Sequence, residues 1–371
     1  MRLRTMPAAL LSALLCLLTT APAHGQAADP AVLSVAVSSA AVTTGQPVRV
    51  LGRLTVGDAG LPGRSVQLQR RVVGTTAWTH VGTLTTDADG AVQGQVQPTD
   101  TQDLRLVAGD ATSLAVRVAV AWSLTSRLSA RSVQLGRTVS LSGTLRPAVA
   151  GHRVHLQQWS GGVWRAVTSA PVTTAGAFSF AVVPSASGWS AYRVWTGSDP
   201  RHTMATGPAH WVDAYRHLHT YVVQTRGSVT VDLAAFRAEI AATYADSRGW
   251  ARSSRRFQRV ASAGSFTVVL SEARYLPSFS PACSVQYSCR VGRYIIINQD
   301  RWRAGSPGFT GSLTSYRQMV TNHETGHWLG LGHASCPSVG APAPVMQQQS
   351  KALLGCTPNP WPLAREIAAL S

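Results

Sequence analysis

The 371-residue chain is 45% apolar and carries a formal net charge of +17. This length allows two or three domains, and the apolar content excludes an intrinsically disordered polypeptide. Lys351 is the only lysine, so arginines scattered along the chain supply almost all of the positive charge. No nucleic-acid-binding pattern accompanies them. We therefore expect a basic exported protein without a nucleic-acid partner. A more specific alternative is that the positive charge serves adhesion to anionic cell-envelope polymers.

The first 26 residues have the organisation of a secretory signal peptide. Arg2 and Arg4 form a charged start, residues 8–18 are apolar, and small residues within 21–25 offer cleavage sites. The apolar run is too short to span a bilayer, and no later run is long enough. We expect a secreted or extracellular protein without a transmembrane segment, and association with the cell wall is a further possibility.

Residues 31–119 and 121–205 are two copies of an internal repeat, because the stretch 42–54 aligns with 133–145. A period of about ninety residues is too long for a solenoid repeat and suits a domain. Other matched pairs are Gly63 with Gly151, Val66 with Val154, Leu68 with Leu156, Trp78 with Trp164, Gly90 with Gly176, Leu104 with Tyr192, Leu106 with Val194, and Gly109 with Gly197.

Short runs of alternating apolar and polar residues, such as 66–69 and 139–142, recur through both copies. Turn residues at 87–90 and 174–176 separate such runs. This pattern predicts half-buried antiparallel strands, and two sheets of such strands bury their apolar faces as a sandwich. Both copies resemble bacterial immunoglobulin-like modules without disulfides.

The matched residues Trp78 and Trp164 are the most distinctive side chains of the two copies. We expect them to pack in the core or between the sheets, and stacking against sugars is the alternative. Neither copy contains a catalytic cluster. If the modules have a binding role, cell-envelope polymers are the expected partner.

Residues 206–220 are predicted to be a linker, because Gly207-Pro208 interrupts the alternating pattern. His210, His217 and His219 follow closely, which invites a metal-site interpretation. Their spacing fits no helix face, so we interpret them as linker and strand residues.

Residues 221–371 are predicted to form an α+β domain. A strand near 221–224 precedes a helix that Asp232 can cap, and Ser312 can cap a second helix. Further strands are expected at 257–260, 266–270 and 293–298.

The second helix leads into a stretch, 323–333, that reads H-E-x-x-H-x-x-G-x-x-H. His323 and His327 are one helical turn apart and share a face, so both imidazoles can reach one metal ion. Glu324 can act as a general base for a bound water. Gly330 allows the chain to turn after the helix, which can bring His333 back as a third ligand. Three nitrogens leave one position of a zinc ion open, as in catalytic sites.

The motif resembles that of the metzincin clan of zinc peptidases. That resemblance implies a methionine turn beneath the metal, for which Met346 in 344–347 is the match. Beyond the clan, residues from about 215 to 371 resemble a family of secreted zincin-like domains of high-GC Gram-positive bacteria, whose function is largely undescribed. The resemblance is carried by 257–260, 296–298, Asn322 with the zinc motif, 344–349, 355–356 and 359–362.

Two positions depart from the metzincin pattern. Some metzincins have a Tyr two residues after the methionine, whereas Gln348 stands here. Ala334 follows the third His and matches none of the better-described families. The donor that would stabilise the transition state is therefore unassigned, and substrate rules do not carry over.

The mature chain keeps an even set of four cysteines: Cys283, Cys289, Cys336 and Cys356. In an exported protein such a set predicts two disulfides, for which three pairings exist. We favour Cys283–Cys289 and Cys336–Cys356, because the second would close a loop around the methionine turn. A metal-ligand role for Cys336 is the less favoured alternative.

The expected protein is multidomain, with two all-β immunoglobulin-like sandwiches followed by an α+β zincin-like catalytic domain. The function we expect is that of a secreted zinc endopeptidase, a hydrolase with one catalytic Zn2+ and a protein or peptide substrate. Two alternatives are an envelope-associated binding protein with an idle zinc domain and a zinc hydrolase of a non-peptide amide. The intact Glu324 argues against the idle domain.

Overall fold

The structure, a computed structural model, describes residues 29–370, so the signal peptide predicted over 1–26 lies outside the described residues. The chain divides after Val120 into two compact units. The first is one β-sandwich, and the second combines a β-sandwich with an α+β domain. Strands dominate the structure.

The first sandwich packs a four-stranded sheet against a six-stranded sheet. Alternate side chains of the strands, among them Val48, Val50, Leu68, Leu104 and Leu106, are buried between the two sheets. Its strands are Ala31–Val37 (β1), Ala41–Thr43 (β2), Val48–Val56 (β3), Ala59–Gly60 (β4), Ser65–Val72 (β5), Thr79–Thr85 (β6), Ala91–Val96 (β7), Gln102–Ala108 (β8), Ala111–Thr112 (β9) and Val116–Ala121 (β10).

The second sandwich repeats this plan with sheets of three and six strands. The larger sheet has the order β12-β19-β17-β14-β15, and β18 pairs with β17. Its strands are Ser123–Leu128 (β11), Ser132–Gln134 (β12), Val139–Arg146 (β13), Arg153–Ser160 (β14), Val163–Pro171 (β15), Ala177–Val182 (β16), Gly188–Thr196 (β17), Ala205–Thr206 (β18) and His210–Tyr215 (β19).

The prediction of a linker over 206–220 is wrong. Strand β19 lies within this segment, pairs with β12 and β17, and completes the second sandwich as far as Tyr215. The next strand begins at His217, so Arg216 alone separates the sandwich from the α+β domain. The Gly-Pro pair does not end the module, because it falls in the short turn between β18 and β19.

The expectation that Trp78 and Trp164 pack between the sheets is also wrong. Both side chains are half-buried and lie on outer faces under arginine side chains. The Arg105 guanidinium carbon is 4.2 Å from the ring centre of Trp78, and that of Arg193 is 4.4 Å from the ring centre of Trp164. An arginine can cover an indole by cation–π stacking while its charge stays in water, so the outer face accommodates these rings.

The α+β domain is built on a five-stranded sheet of order β21-β20-β22-β24-β23. All neighbours are parallel except the edge strand β23, which is antiparallel to β24. Its strands are His217–Arg226 (β20), Arg255–Arg259 (β21), Phe266–Ser271 (β22), Cys289–Val291 (β23) and Tyr294–Asn298 (β24). Its helices are Leu233–Ala245 (α1), Gln299–Ala304 (α2), Leu313–Trp328 (α3) and Ala364–Ala368 (α4).

Helices α1 and α3 cover one face of this sheet with a core of mainly aromatic and β-branched residues. Asp232 accepts hydrogen bonds from two backbone amides of α1, and Ser312 accepts one from Ser315 at the start of α3, so both predicted caps are confirmed. Within residues 29–370, no helix is long and apolar enough to cross a membrane.

Candidate metal centre

Helix α3 brings His323 and Glu324 into the interior of the domain. Their residues are 8% and 5% exposed, whereas His327, one turn later, is half-buried. The three side chains lie near the carboxyl end of a 16-residue helix that is held by the sheet on one side and by α1 on another. The helix therefore presents them from a rigid element rather than from a loop.

The chain turns sharply after α3 because Gly330 adopts φ +99°, a conformation that favours glycine. The amide of Leu331 donates to the carbonyl of Gly326 at 2.9 Å, which closes the helix end as a Schellman-type cap. This turn returns His333 to the helix, where its Nε2 atom is 3.1 Å from Nε2 of His327.

The predicted ligands His323, His327 and His333 form one cluster, because one nitrogen from each lies within 4.8 Å of the others. Nδ1 of His323 is 2.8 Å from the carbonyl oxygen of Val345, and Nδ1 of His327 is 2.8 Å from that of Leu331. A carbonyl can only accept, so these contacts place the ring proton on Nδ1 and leave the Nε2 lone pair free.

The electrostatics of the cluster favour neutral imidazoles. Burial, followed by the neighbouring His327, lowers the pKa of His323 to about 3. Burial likewise lowers the pKa of His327 and His333. Three neutral imidazoles with converging lone pairs are a donor set that zinc prefers, so the residues present fit the implied metal.

Glu324 lines the same cleft as the three histidines. Burial raises the pKa of its carboxyl to about 8, and the Arg290 guanidinium opposes part of that rise. A cation held by the histidines would further favour the carboxylate form. The geometry thus places one buried acid beside a cluster able to hold a cation.

Met346 lies directly beneath the helix. A Cβ atom added at Gly326 would overlap the Met346 sulfur and lie 2.9 Å from Cζ2 of Trp250, so the helix and the methionine are in intimate contact. The backbone carbonyl of Met346 also accepts from the amide of Ala334, next to His333, at 3.0 Å. The predicted methionine turn therefore packs against the segments that carry His327 and His333.

Sequence reasoning missed Glu366, which holds the methionine turn in place. Its buried carboxylate accepts hydrogen bonds from the amides of Val345 at 3.1 Å, Met346 at 2.8 Å and Leu363 at 2.7 Å. Because Val345 supplies the carbonyl that orients His323, Glu366 acts on the cluster through the backbone. A glutamate in a short C-terminal helix carries no motif, so the sequence offered no signal.

The two favoured disulfides, Cys283–Cys289 and Cys336–Cys356, are both present. The second encloses Met346 within its loop, as expected. The first joins the loop before β23 to the start of that strand and so fixes one wall of the cleft. Cys336 is consequently a disulfide partner, which removes its alternative role as a metal ligand.

The cleft has a volume of about 530 Å³. Its walls are the 280–292 segment with strand β23, helix α3, and residues 348–351 after the methionine turn. Arg290 and Lys351 line the cleft from different walls, and Glu324 is the acidic residue among those that line it. Gln348, at the position where some metzincins have a Tyr, also lines it.

The other three histidines considered as ligands do not converge on one point. His210 contacts the Ser126 hydroxyl at 2.8 Å within the second sandwich. The rings of His217 and His219 are 6.2 Å apart on β20, and His219 packs against Trp328. Their interpretation as strand residues agrees with these positions.

Residues 194–362 match a family model described as a protein of unknown function, DUF3152. The matched range contains the end of the second sandwich, all three histidines, Glu324 and Met346. No curated protein matches the chain.

Several solved structures are similar to parts of the chain. A tetra-tandem repeat from the extending region of a large adhesion protein is 20% identical and covers 50% of each chain, with a TM-score of 0.27. The Yersinia pseudotuberculosis adhesin InvE is 12% identical over 50% of this chain and 58% of that one, with a TM-score of 0.26. The chain thus spans about half the length of these two structures. The D0-D1 domain of intimin is 9% identical over 50% of this chain and 100% of that one, with a TM-score of 0.22.

Proposed function

We propose that this protein is a secreted zinc-dependent endopeptidase with a metzincin-like catalytic domain. The observation that carries the proposal is the cluster of His323, His327 and His333, whose nitrogens lie within 4.8 Å of one another in a cleft that also holds Glu324. Three imidazoles and one buried carboxylate are the parts needed for hydrolysis assisted by a metal.

His323, His327 and His333 would hold the zinc ion. When bound, zinc would supply Lewis acidity that lowers the pKa of a water molecule and polarises a carbonyl group. Glu324 would take a proton from that water and deliver it to the departing amide nitrogen. The buried position of Glu324 keeps bulk water from competing for the proton.

A peptide substrate would add as a strand along the free edge of β23. This strand pairs with β24 on one side, and its residues Cys289 to Val291 line the cleft. Unpaired backbone groups at a sheet edge are a template for an extended peptide. The Cys283–Cys289 disulfide would hold this edge at a fixed distance from the histidines.

The cationic residues of the cleft favour a substrate segment with acidic side chains. Arg290 is an exposed residue whose Nη2 donates to the carbonyl of His327 at 2.7 Å, and Lys351 lines the cleft from the segment after the methionine turn. Two positive side chains in one cleft would repel a basic peptide and attract an acidic one.

Export of the protein fits the two disulfides, because such bonds persist in oxidising compartments. We propose that the two sandwiches are immunoglobulin-like modules that hold the catalytic domain near the cell envelope or its substrate.

Replacement of Glu324 by Gln tests the proposed chemistry. The amide cannot take a proton from water, so we expect peptide hydrolysis to fall by at least about a hundredfold while zinc stays bound. The measurements are cleavage of a peptide library and the zinc content of the purified protein. Glu239→Gln on α1, outside the cleft, is the matched control and should retain full activity.

The same assay separates the alternatives. Retained hydrolysis in Glu324→Gln would exclude this role for the carboxylate. A wild-type protein that binds stoichiometric zinc but cleaves no peptide, with or without a chelator, would favour the idle domain or a non-peptide amide substrate.

A further inference from the structure

Five tryptophans lie on the outer face of the larger sheet of the second sandwich. Opposite partners in adjacent strands point to the same face, so the strand register assigns these side chains to the side away from the core. Trp159 faces Trp164 with ring centres 5.3 Å apart, and Trp195 stacks on His155 at 4.8 Å. We call this set the tryptophan face: Trp159, Trp164, Trp189, Trp195 and Trp211.

The tryptophan face is open to solvent. Trp159, Trp189 and Trp211 are 43%, 61% and 52% exposed. The five rings come from four neighbouring strands, β19, β17, β14 and β15, and strands about 4.8 Å apart give the rings a span of roughly 14 Å. That length matches a short oligomer rather than a single small molecule.

Hydrogen-bonding side chains alternate with the rings. The Arg193 guanidinium donates to the Gln157 carboxamide oxygen at 2.8 Å and covers the ring of Trp164. His155 lies beside Trp195 on the same face. A surface of flat rings interspersed with amide, guanidinium and imidazole groups suits a ligand that is both apolar and rich in hydroxyl groups.

The internal repeat shows that the fold does not require Trp159 or Trp211, whereas Trp164 has a counterpart in Trp78. The positions of Trp159, Ala191 and Trp211 correspond in the first sandwich to Arg71, Asp103 and Arg117, as the repeat alignment and the strand pairs Arg117–Asp103 and Trp211–Ala191 show.

In the first sandwich those three residues form a salt-bridge network, with Asp103 2.9 Å from Arg71 and 2.8 Å from Arg117. The same sheet is thus stable with charged residues where the second sandwich exposes tryptophan. Exposed apolar rings carry a solubility cost, so a binding role explains why they are present.

We propose that the tryptophan face binds a glycan chain of β-linked pyranose units. The apolar faces of the sugar rings would stack on the exposed indoles, while Arg193, Gln157 and His155 would hydrogen-bond the hydroxyl groups between them. Aromatic rings and arginines also occur at protein interfaces, so binding of a protein partner without any saccharide binding is an outcome that would overturn the proposal. This site lies on the sandwich and does not depend on the proposed zinc chemistry.

The test uses the full mature chain and two probes, chitohexaose and cellohexaose, in isothermal titration calorimetry. The variant Trp159→Arg with Ala191→Asp and Trp211→Arg transplants the salt-bridge network of the first sandwich and is therefore expected to fold. We expect the wild-type chain to bind at least one probe and this variant to bind about tenfold more weakly or worse. Trp189→Thr, a single change at the most exposed ring, should weaken binding on its own.

Trp78→Ala in the first sandwich is the matched control, because that ring is also covered by an arginine but has no neighbouring tryptophans on its face. It should leave glycan binding unchanged. The proposal is overturned if neither probe binds the wild-type chain, or if the triple variant and Trp189→Thr bind as well as the wild type. Binding of anionic phospholipid vesicles through these tryptophans, without saccharide binding, would also overturn it. Hydrolysis of a soluble peptide should be unaffected by all of these changes, so the glycan result stands apart from the peptidase result.

Discussion

Gly326 shows at the scale of one residue how tightly the candidate site is packed. It lies in the interior of α3 between Glu324 and His327, where alanine would ordinarily be the better helix former. The structure gives the reason for glycine, since a Cβ atom here would overlap the Met346 sulfur and crowd Trp250.

We expect Gly326→Ala to lower the free energy of unfolding by about 1–3 kcal/mol, because overpacking outweighs the gain in helix propensity. The displacement of Met346 should also weaken zinc binding. Urea unfolding and zinc titration measure the two effects. Gly332→Ala is the control, because nothing lies within 4 Å of its Cβ position and the backbone has no positive φ. Equal stability of the two variants would contradict the packing argument.

At the scale of elements, the short helix α4 and the methionine turn form one unit through Glu366. The carboxylate satisfies three backbone amides that have no other role in secondary structure. The turn then presents the Val345 carbonyl to Nδ1 of His323. A helix of five residues thus contributes to the orientation of a side chain on a different helix.

We expect Glu366→Ala to destabilise the domain by about 2–4 kcal/mol, because buried amides would lose their acceptor. It should also raise the zinc dissociation constant by about 10–100-fold through the loss of orientation at His323. Denaturant unfolding measures the change in stability, and competition with a zinc chelator measures the change in the zinc dissociation constant. Glu239→Ala, which removes a half-buried ion pair with Arg317 away from the cluster, should leave the zinc dissociation constant unchanged and lower stability by less than Glu366→Ala does.

At the scale of the whole molecule, acid stability should depend on His219. Burial lowers the pKa of His219 to about 4, with smaller contributions from Arg255 and His217, and its Nε2 is buried without a partner. In the unfolded chain the pKa of His219 is about 6.5, so between pH 4 and pH 6.5 its ring is protonated in the unfolded state and neutral in the folded state. Stability from this group is present above pH 6.5, falls as the pH drops towards 4, and is fully lost below that value.

The variant His219→Phe should remove this dependence. The loss in the wild type between pH 6.5 and pH 4 should be about 1–2 kcal/mol from this residue alone, because the ring is only half-buried and solvent screens part of the effect. Unfolding curves of both proteins across this pH range give the difference in their free energies of unfolding. A chelator is present throughout, so that metal release does not contribute. Parallel pH profiles of the two proteins would show that His219 does not titrate in this way.

Much of the fold could be predicted because its causes are local. Period-two alternation gave the sandwich strands, and Asp232 and Ser312 gave the helix starts. The predicted boundary between the second sandwich and the α+β domain was wrong. The pairing of β19 with β12 and β17 is a long-range property that a Gly-Pro pair in the sequence does not reveal. The prediction that Trp78 and Trp164 point inward was wrong for the same reason, since strand register decides which face of the sheet a ring occupies.

The sequence by itself determined the three histidines, Glu324, Gly330 and both disulfide pairs, because fixed spacing on a helix and a small set of cysteines leave few arrangements. Tertiary structure alone decided the contacts that orient them: Val345 against His323, Glu366 under the methionine turn, and Arg290 across the cleft. It also decided that five tryptophans from four strands share one open face. Each of these arrangements joins residues far apart in the chain, and only packing and strand register bring such residues together.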